Sequence, residues 1–278
     1  MQLNRTAKSM PVARPGRWLA IAAIVGGVLL PFAPLLLWSV SQRWYFPALL
    51  PTEFSWRAWA YVLSPRSQTL AALGGSLAVA TGATLLALAV GIPAGRVMGL
   101  HQFTGKNLVR FLILAPAIVP PLATAMGIHI VFIRYGLADT LPGVMLVHLI
   151  PVTPYVVLIM SSVFANFNPE FEQQARSLGA GPGQIFWHIT LPAIWPGVMV
   201  AGLFAFIISW SEYLLTVLIG GGRVLTLPLL LFSMANSGDN PVTAALSIVF
   251  VGPAILFLVL TARYLTGKNA AIGGFGKQ

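Results

Sequence analysis

Six long apolar runs, separated by short polar connections, constrain this chain more than any other feature. They cover about Trp18–Val40, Thr69–Val97, Leu108–Ile133, Leu141–Phe164, Ala193–Leu218 and Val242–Leu265. A helix needs about 20 predominantly apolar residues to cross the hydrocarbon of a bilayer. Within that hydrocarbon every backbone N–H and C=O must be paired inside the chain, so runs of this length are read as helices. Only 8% of the 278 residues are charged, against about 25% in a soluble globular domain. The expected fold is therefore all-α and integral to a membrane, with six transmembrane helices. It forms one domain over residues 18–265 between polar tails at 1–17 and 266–278. The first run is longer than the roughly 7–15 residues of a signal-peptide core, and SQRWYF follows it in place of a small-residue cleavage site, so it reads as a retained anchor.

The net charge of +10 does not point to nucleic acid, because the 16 basic residues are scattered at the ends of apolar runs rather than gathered on a polar face. Their distribution gives orientation instead. With the N-terminus inside, eleven lie in the N-terminal tail, the connections at 96–110 and 165–192 and the C-terminal end from Arg263 on, while Arg43, Arg57, Arg66, Arg134 and Arg223 lie outside. That bias places both ends in the cytoplasm.

Between the runs, Ser41–Gln68 is rich in Trp, Tyr and Phe and fits a segment at headgroup level. Val224–Phe232 is too short to cross and is read as re-entrant or interfacial. Gly91, Gly95 and Gly99 form a doubled G-x-x-x-G that lets another helix approach closely. Pro116, Pro120, Pro121, Pro151 and Pro154 are either kinks shaping a cavity or ordinary membrane-helix prolines.

The longest polar interval in the second half, Glu172–Pro192 (EQQARSLGAGPGQIFWHITLP), reads as two short helices around a glycine break, the second closed by Pro192. Ile185, Phe186, Ile189 and, more loosely, Leu191 can share one side of the second helix, giving an apolar docking knob.

This interval resembles the EAA loop of bacterial ABC importer permeases: Glu-Ala-Ala, three residues, Gly, nine residues, Ile, one residue, Leu-Pro. With Gly179 as the fixed glycine, Ala175, Ile189, Leu191 and Pro192 fall in register. Gln173 stands at the Glu position and Gln174 at the first Ala, while Glu172 lies one place early. The resemblance therefore does not carry over any ion pair that the family forms through the motif Glu, while the docking geometry carries over. The whole chain is similar to the type I (MetI-like) permease subunit. Leu225–Pro253 is similar to the spermidine/putrescine-like branch.

The resemblance implies the permease subunit of an ATP-driven, binding-protein-dependent importer in the bacterial inner membrane. Its partners would be a dimer of ABC ATPase subunits, a second permease subunit, like or unlike, and a periplasmic or lipoprotein solute-binding protein. Membrane lipid surrounds it. The ATPase would be engaged by Gln173, Ala175, Gly179, Ala180, Gln184, Ile185, Phe186, Ile189, Leu191 and Pro192 in the loop at 165–192. Gly179 would permit a turn where a side chain clashes. The solute would be a polyamine, or another small molecule such as thiamine, a phosphonate, ferric ion or a sugar.

The chain carries no phosphate cradle of its own. Gly99–Asn107 (GLHQFTGKN) has five residues between its glycines where a P-loop has four, and Asn107 replaces the hydroxyl ligand of Mg²⁺. No cysteine is present, and His101, His129, His148 and His188 lie on separate segments, so no metal site, cofactor or catalytic residue is expected. Glu212, within SWSEY in the fifth run, is an acid at membrane depth and so faces a watery path, a partner or the outer surface. Ser209, Trp210 and Tyr213 could line the same solute route. An ion-gradient-driven transporter predicts mid-membrane charge pairs and an inverted repeat, neither of which is evident. A purely structural subunit would not need the loop.

Overall fold

The computed structural model describes residues 23–27, 29–44 and 47–265. The tails at 1–17 and 266–278 and the start of the first apolar run lie outside these residues. Among the described residues, four helices are long and apolar enough to cross a membrane: Thr69–Leu100, Leu141–Ala165, Pro182–Ser211 and Asn240–Ala262.

In chain order, α1 (Phe32–Ser39) is the described end of the first apolar run. A small hairpin follows, β1 (Ser41–Arg43) paired antiparallel with β2 (Glu53–Phe54), and then the short α2 (Arg57–Val62). The segment read as interfacial thus has its own local structure. Next come α3 (Thr69–Leu100), α4 (Lys106–Ile118), α5 (Pro121–Arg134) and α6 (Leu141–Ala165). The loop helix α7 (Glu170–Ser177) leads to α8 (Pro182–Ile185), a π-turn over Phe186–Thr190, and α9 (Leu191–Ser211). The chain closes with α10 (Leu214–Gly220), α11 (Leu227–Ser237) and α12 (Asn240–Leu265).

Two apolar runs differ from their expected form. The third is two helices, α4 and α5, because Pro120 has no N–H to donate and its ring obstructs the preceding turn. Pro151 and Pro154 lie inside the unbroken α6, so proline alone does not decide where a membrane helix ends. The fifth run begins early and stops early. Pro192 does not close the second loop helix; it is the second residue of α9, which runs on from α8 without a break and ends before Glu212. The stretch at 224–232 contributes to α11, too short to cross, packed against α3 and α12.

The centre of the bundle is α3 lying along α6, with α9 against both. The glycine stripe makes that approach possible. A Cβ on Gly95 would lie 2.5 Å from Met160 Cβ, one on Gly99 would lie 2.6 Å from Ser161 O, and one on Gly91 would overlap Val156. The backbones therefore meet where any larger residue would force them apart, and dispersion contacts replace the missing side chains. Val152, Val156, Met160 and Phe164 of α6 form one buried cluster here with Ala87, Ile194, Val198, Ala201 and Ala205.

A second cluster joins α2, α3, α9, α11 and α12 through Ala58, Phe206, Trp210, Leu227 and Leu246. Phe206 stacks on Phe257 at 4.2 Å and on Trp210 at 5.5 Å. At this end of α3, Arg57 makes a bidentate pair with Asp239, at 2.9 and 3.0 Å, and Asp239 also accepts from the Val242 N–H at the start of α12.

Replacing Gly95 with Leu should destabilise the bundle by about 1–3 kcal/mol, the usual cost of overpacking, read as a lower melting temperature of the detergent-purified protein. Gly127, which has nothing within 4 Å of an added Cβ, is the control. Its Leu variant should melt like the parent; equal melting of Gly95→Leu would refute the close approach.

Candidate functional site

The loop from 165 to 192 is built by local rules. Asn168 Oδ1 accepts the Glu170 N–H at 3.0 Å, and Glu170 and Glu172 lie in the first turn of α7, where the helix dipole favours acids. The other end is a Schellman cap. The Ala180 N–H bonds Ala175 O at 3.0 Å, the Gly179 N–H bonds Arg176 O at 2.9 Å, and Gly179 has φ +87°. An added Cβ there meets nothing within 4 Å, which corrects the expected clash: the left-handed backbone, not crowding, calls for glycine.

Pro182 opens α8, and Gln184 Oε1 reaches back to accept the Gly181 N–H at 2.9 Å. The π-turn follows because Pro192 cannot donate to the turn before it. The Leu191 N–H instead bonds Phe186 O five residues back, and the helix continues into α9. The loop helix and the membrane helix are thus one rod.

Glu172, absent from the expected engaging set, is the centre of this site. It is 4% exposed. Arg96, in the last turns of α3, donates Nη1 to Oε1 at 2.8 Å and Nη2 to Oε2 at 2.5 Å. Thr190, at the junction with α9, donates its hydroxyl to Oε1 at 2.5 Å. The Arg96 guanidinium also lies 5.7 Å from the ring centroid of Phe164 in α6. The displaced acid thus forms an ion pair within the chain, although the shifted motif carried none over. Its signal was visible as a lone Glu and a lone Arg on segments 76 residues apart, but nothing local joins them.

The exposed surface differs from the expected knob. Ile185 is buried, Phe186 is partly exposed, and Trp187, not singled out from the sequence, is 64% exposed and packs edge-to-face on Phe186 at 5.4 Å. Leu178 stands out at 89%. Between the two short helices lies a shallow cavity of about 530 Å³, lined by Gly179, Ala180, Gln184, Ile185, His188 and Ile189 beside Leu178. Gln173 and Pro192 are exposed, and Ala175 and Leu191 half-buried. The loop offers a dish with apolar rims.

The four residues expected along a solute route are divided. Ser209 and Trp210 are buried within the chain, and Trp210 donates its indole N–H to Phe250 O at 3.1 Å. Ser209 is 2.8 Å from His148 Nδ1, and Thr216 is 2.9 Å from Nε2. The Thr216 hydroxyl donates to Glu212 O at 3.0 Å, so it accepts from Nε2–H, and Ser209 donates to Nδ1. His148 is a satisfied packing residue, as a lone membrane histidine is expected to be. Glu212 Oε1 accepts the Leu215 N–H at 3.1 Å and so caps α10.

Tyr213 alone of the four lines a cavity of about 430 Å³ at the far end of α3, with Tyr61, Arg66, Gln68, Phe232 and Ser233 among its walls. No group of three or more His, Cys, Asp or Glu side chains able to hold a metal occurs among the described residues.

Arg96 holds the Glu172 carboxyl below the ordinary glutamate range, and the Thr190 hydroxyl adds to this while burial opposes it. A depressed folded pKa contributes stability that is full above the ordinary value and is lost as pH falls through the depressed one. The emission of a fluorophore attached at Trp187→Cys, the chain having no cysteine of its own, should therefore hold steady from neutrality to about pH 4.3, the ordinary glutamate value, and change below it. The Glu172→Gln variant should lack that acid step; an unchanged step in the variant would refute the assignment.

Comparison with known proteins follows the same lines. Residues 91–266, well over half of the chain, match the family described as "Binding-protein-dependent transport system inner membrane component". The chain is 29% identical over 268 residues to the putrescine transport system permease protein PotI of Escherichia coli K12, covering 94% of each. It is 28% identical to the molybdenum transport system permease protein ModB of Mycobacterium bovis, covering 91% of this chain and 96% of that one. It is 29% identical to a putative 2-aminoethylphosphonate transport system permease protein, PhnV, of Salmonella choleraesuis, covering 91% and 97%. In fold it resembles a chain of a bacterial ABC transporter that imports the acidic polysaccharide alginate, with a TM-score of 0.67 at 18% identity, covering 92% of this chain and 99% of that one. The motif, the membrane helices and these matches agree: the chain belongs to the family of binding-protein-dependent transport system inner membrane components, the permease subunits of ABC importers.

Proposed function

We propose that the chain crosses the inner membrane six times with both ends in the cytoplasm. In this reading α4 and α5 together make the third crossing, and α1 is the described part of the first. A second permease subunit, like or unlike, completes the pathway, and a solute-binding protein delivers solute from outside. Two ATPase subunits dock on the loop at 165–192 and supply the energy. The observation that carries this reading is the loop itself: an apolar-rimmed dish around Gln184 and Ile189, mounted on a rod continuous with α9 and tied to α3. An ATPase pushing on that dish moves membrane helices with no flexible linker to absorb the motion. The Lys and Arg bias of the sequence puts the loop on the ATPase side.

A polyamine is one reading of the solute, supported by the likeness to the putrescine permease. The geometry favours an anionic solute. Arg66 lines the 430 Å³ outer cavity and makes no ion pair among the described residues, and no carboxylate lines it. Glu212, the acid that would attract a cation, is engaged in capping α10.

A Trp187→Cys variant, useful because the chain has no cysteine of its own, should react with a membrane-impermeant thiol reagent from the cytoplasmic face only. Labelling from the exterior alone would sink the coupling role. Gly179→Asp should insert normally and abolish uptake, since it strains the left-handed turn and puts a charge at the dish; normal uptake would refute the site. In cells expressing the complete system, 2-aminoethylphosphonate or molybdate uptake should exceed putrescine uptake and fall in Arg66→Gln. Putrescine uptake lost in Glu212→Gln and kept in Arg66→Gln would reverse the choice of solute.

A further inference from the structure

We propose that Arg96, Glu172 and Thr190 form a mechanical joint that carries movement of the loop into α3, the central helix of the bundle. The inference rests on the coupling role proposed for the loop and adds the residues that pass the motion on.

Chain connectivity explains how α9 would follow the loop, because α8, the π-turn and α9 are one rod. It does not explain how α3 would follow, since α3 joins the loop only through α4, α5 and α6 in sequence. Packing of α9 on α3 gives an indirect route, and the Glu172 carboxylate adds a direct one from the loop itself. It accepts both ends of the Arg96 guanidinium, and a two-point fork resists rotation where a single bond would swivel. Its Oε1 also accepts Thr190, so one buried carboxylate holds α7, the end of α3 and the start of α9 together. Arg96 is braced from the other side by the Phe164 ring of α6.

The neighbours leave Glu172 to this task. Gln173, at the motif's acid position, is exposed and neutral, so contact with an ATPase falls to it and to Leu178 and Trp187, while Glu172 faces inward. Glu172, Arg96 and Thr190 are therefore positioning residues. They set the angle and stiffness of the loop against α3 and do not touch solute or nucleotide.

The test uses the complete importer, reconstituted in liposomes with its own ATPase, and single spin labels read with and without ATP. One label is placed by Leu70→Cys at the far end of α3 and another by Ser211→Cys at the far end of α9, both exposed positions. In the otherwise native permease, both labels should respond to ATP. In Glu172→Gln and Arg96→Gln, the α3 response should fall by about tenfold, within the usual range of coupling between sites. The α9 response and co-purification of the ATPase should persist. The exchanged pair, Arg96→Glu with Glu172→Arg, should recover part of the α3 response, which loss of a merely structural contact would not predict.

An α3 label that responds to ATP as strongly in both single variants as in the parent would overturn the joint. So would loss of the ATPase from Glu172→Gln, which would make Glu172 a direct docking residue. Failure of both labels to respond in the parent, with ATPase bound, would instead overturn the coupling role itself.

Discussion

Water is missing from most of the volume this chain occupies, and that one condition organises the rest. Each peptide group left unpaired in hydrocarbon costs several kcal/mol, so the segments that cross must be helices closed on their own hydrogen bonds. Among the described residues, irregular backbone falls between helices, as in the hairpin at 41–54, the turns at 101–105 and 135–140, the break at Val119–Pro120, the turn at Glu212–Tyr213 and the stretch at 221–226. Polar side chains follow the same logic. His148, Ser209 and Thr216 sit inside the bundle because the two hydroxyls satisfy the two ring nitrogens, and an apolar replacement of His148 would deprive both hydroxyls of that partner.

Hydrophobicity cannot hold such helices to one another, since lipid is as apolar as leucine. Shape does so instead. The glycine stripe of α3 brings two backbones into contact along α6, and the aromatic stack of Phe206, Trp210, Phe250 and Phe257 ties α9 to α12. Among the described residues, ion pairs are few and lie near the two ends of α3. Near one end Arg57–Asp239 fastens α2 to the start of α12, and at the other Arg96–Glu172 fastens α3 to the loop. Both pairs are bidentate, so each fixes an angle as well as a distance.

The same economy supports the coupling role proposed for the loop. A Schellman cap turns the chain sharply at Gly179, and a π-turn lets the second loop helix pass Pro192 without stopping. The result is an elbow with a shallow dish between its two short helices, whose arm runs on into a membrane helix. Elements that couple two sites work through rigid secondary structure, and here the turn at Leu178–Gly181 is the only non-helical backbone between α7 and the end of α9.

Length and hydropathy were enough to read a helical membrane protein, and the spacing of Gly179, Ile189, Leu191 and Pro192 carried the resemblance to ABC importer permeases, because those properties are local and periodic. The glycine stripe was legible as a contact surface for the same reason, though not its partner, α6. Tertiary structure decided the rest. It turned Pro192 from a stop into a helix residue, set Ile185 inward and Trp187 outward, and engaged Glu212 as a cap. Above all it brought Arg96 and Glu172 together across 76 residues of chain. A buried ion pair depends on distance and desolvation in the folded bundle, and neither is written in the order of residues along one strand of sequence.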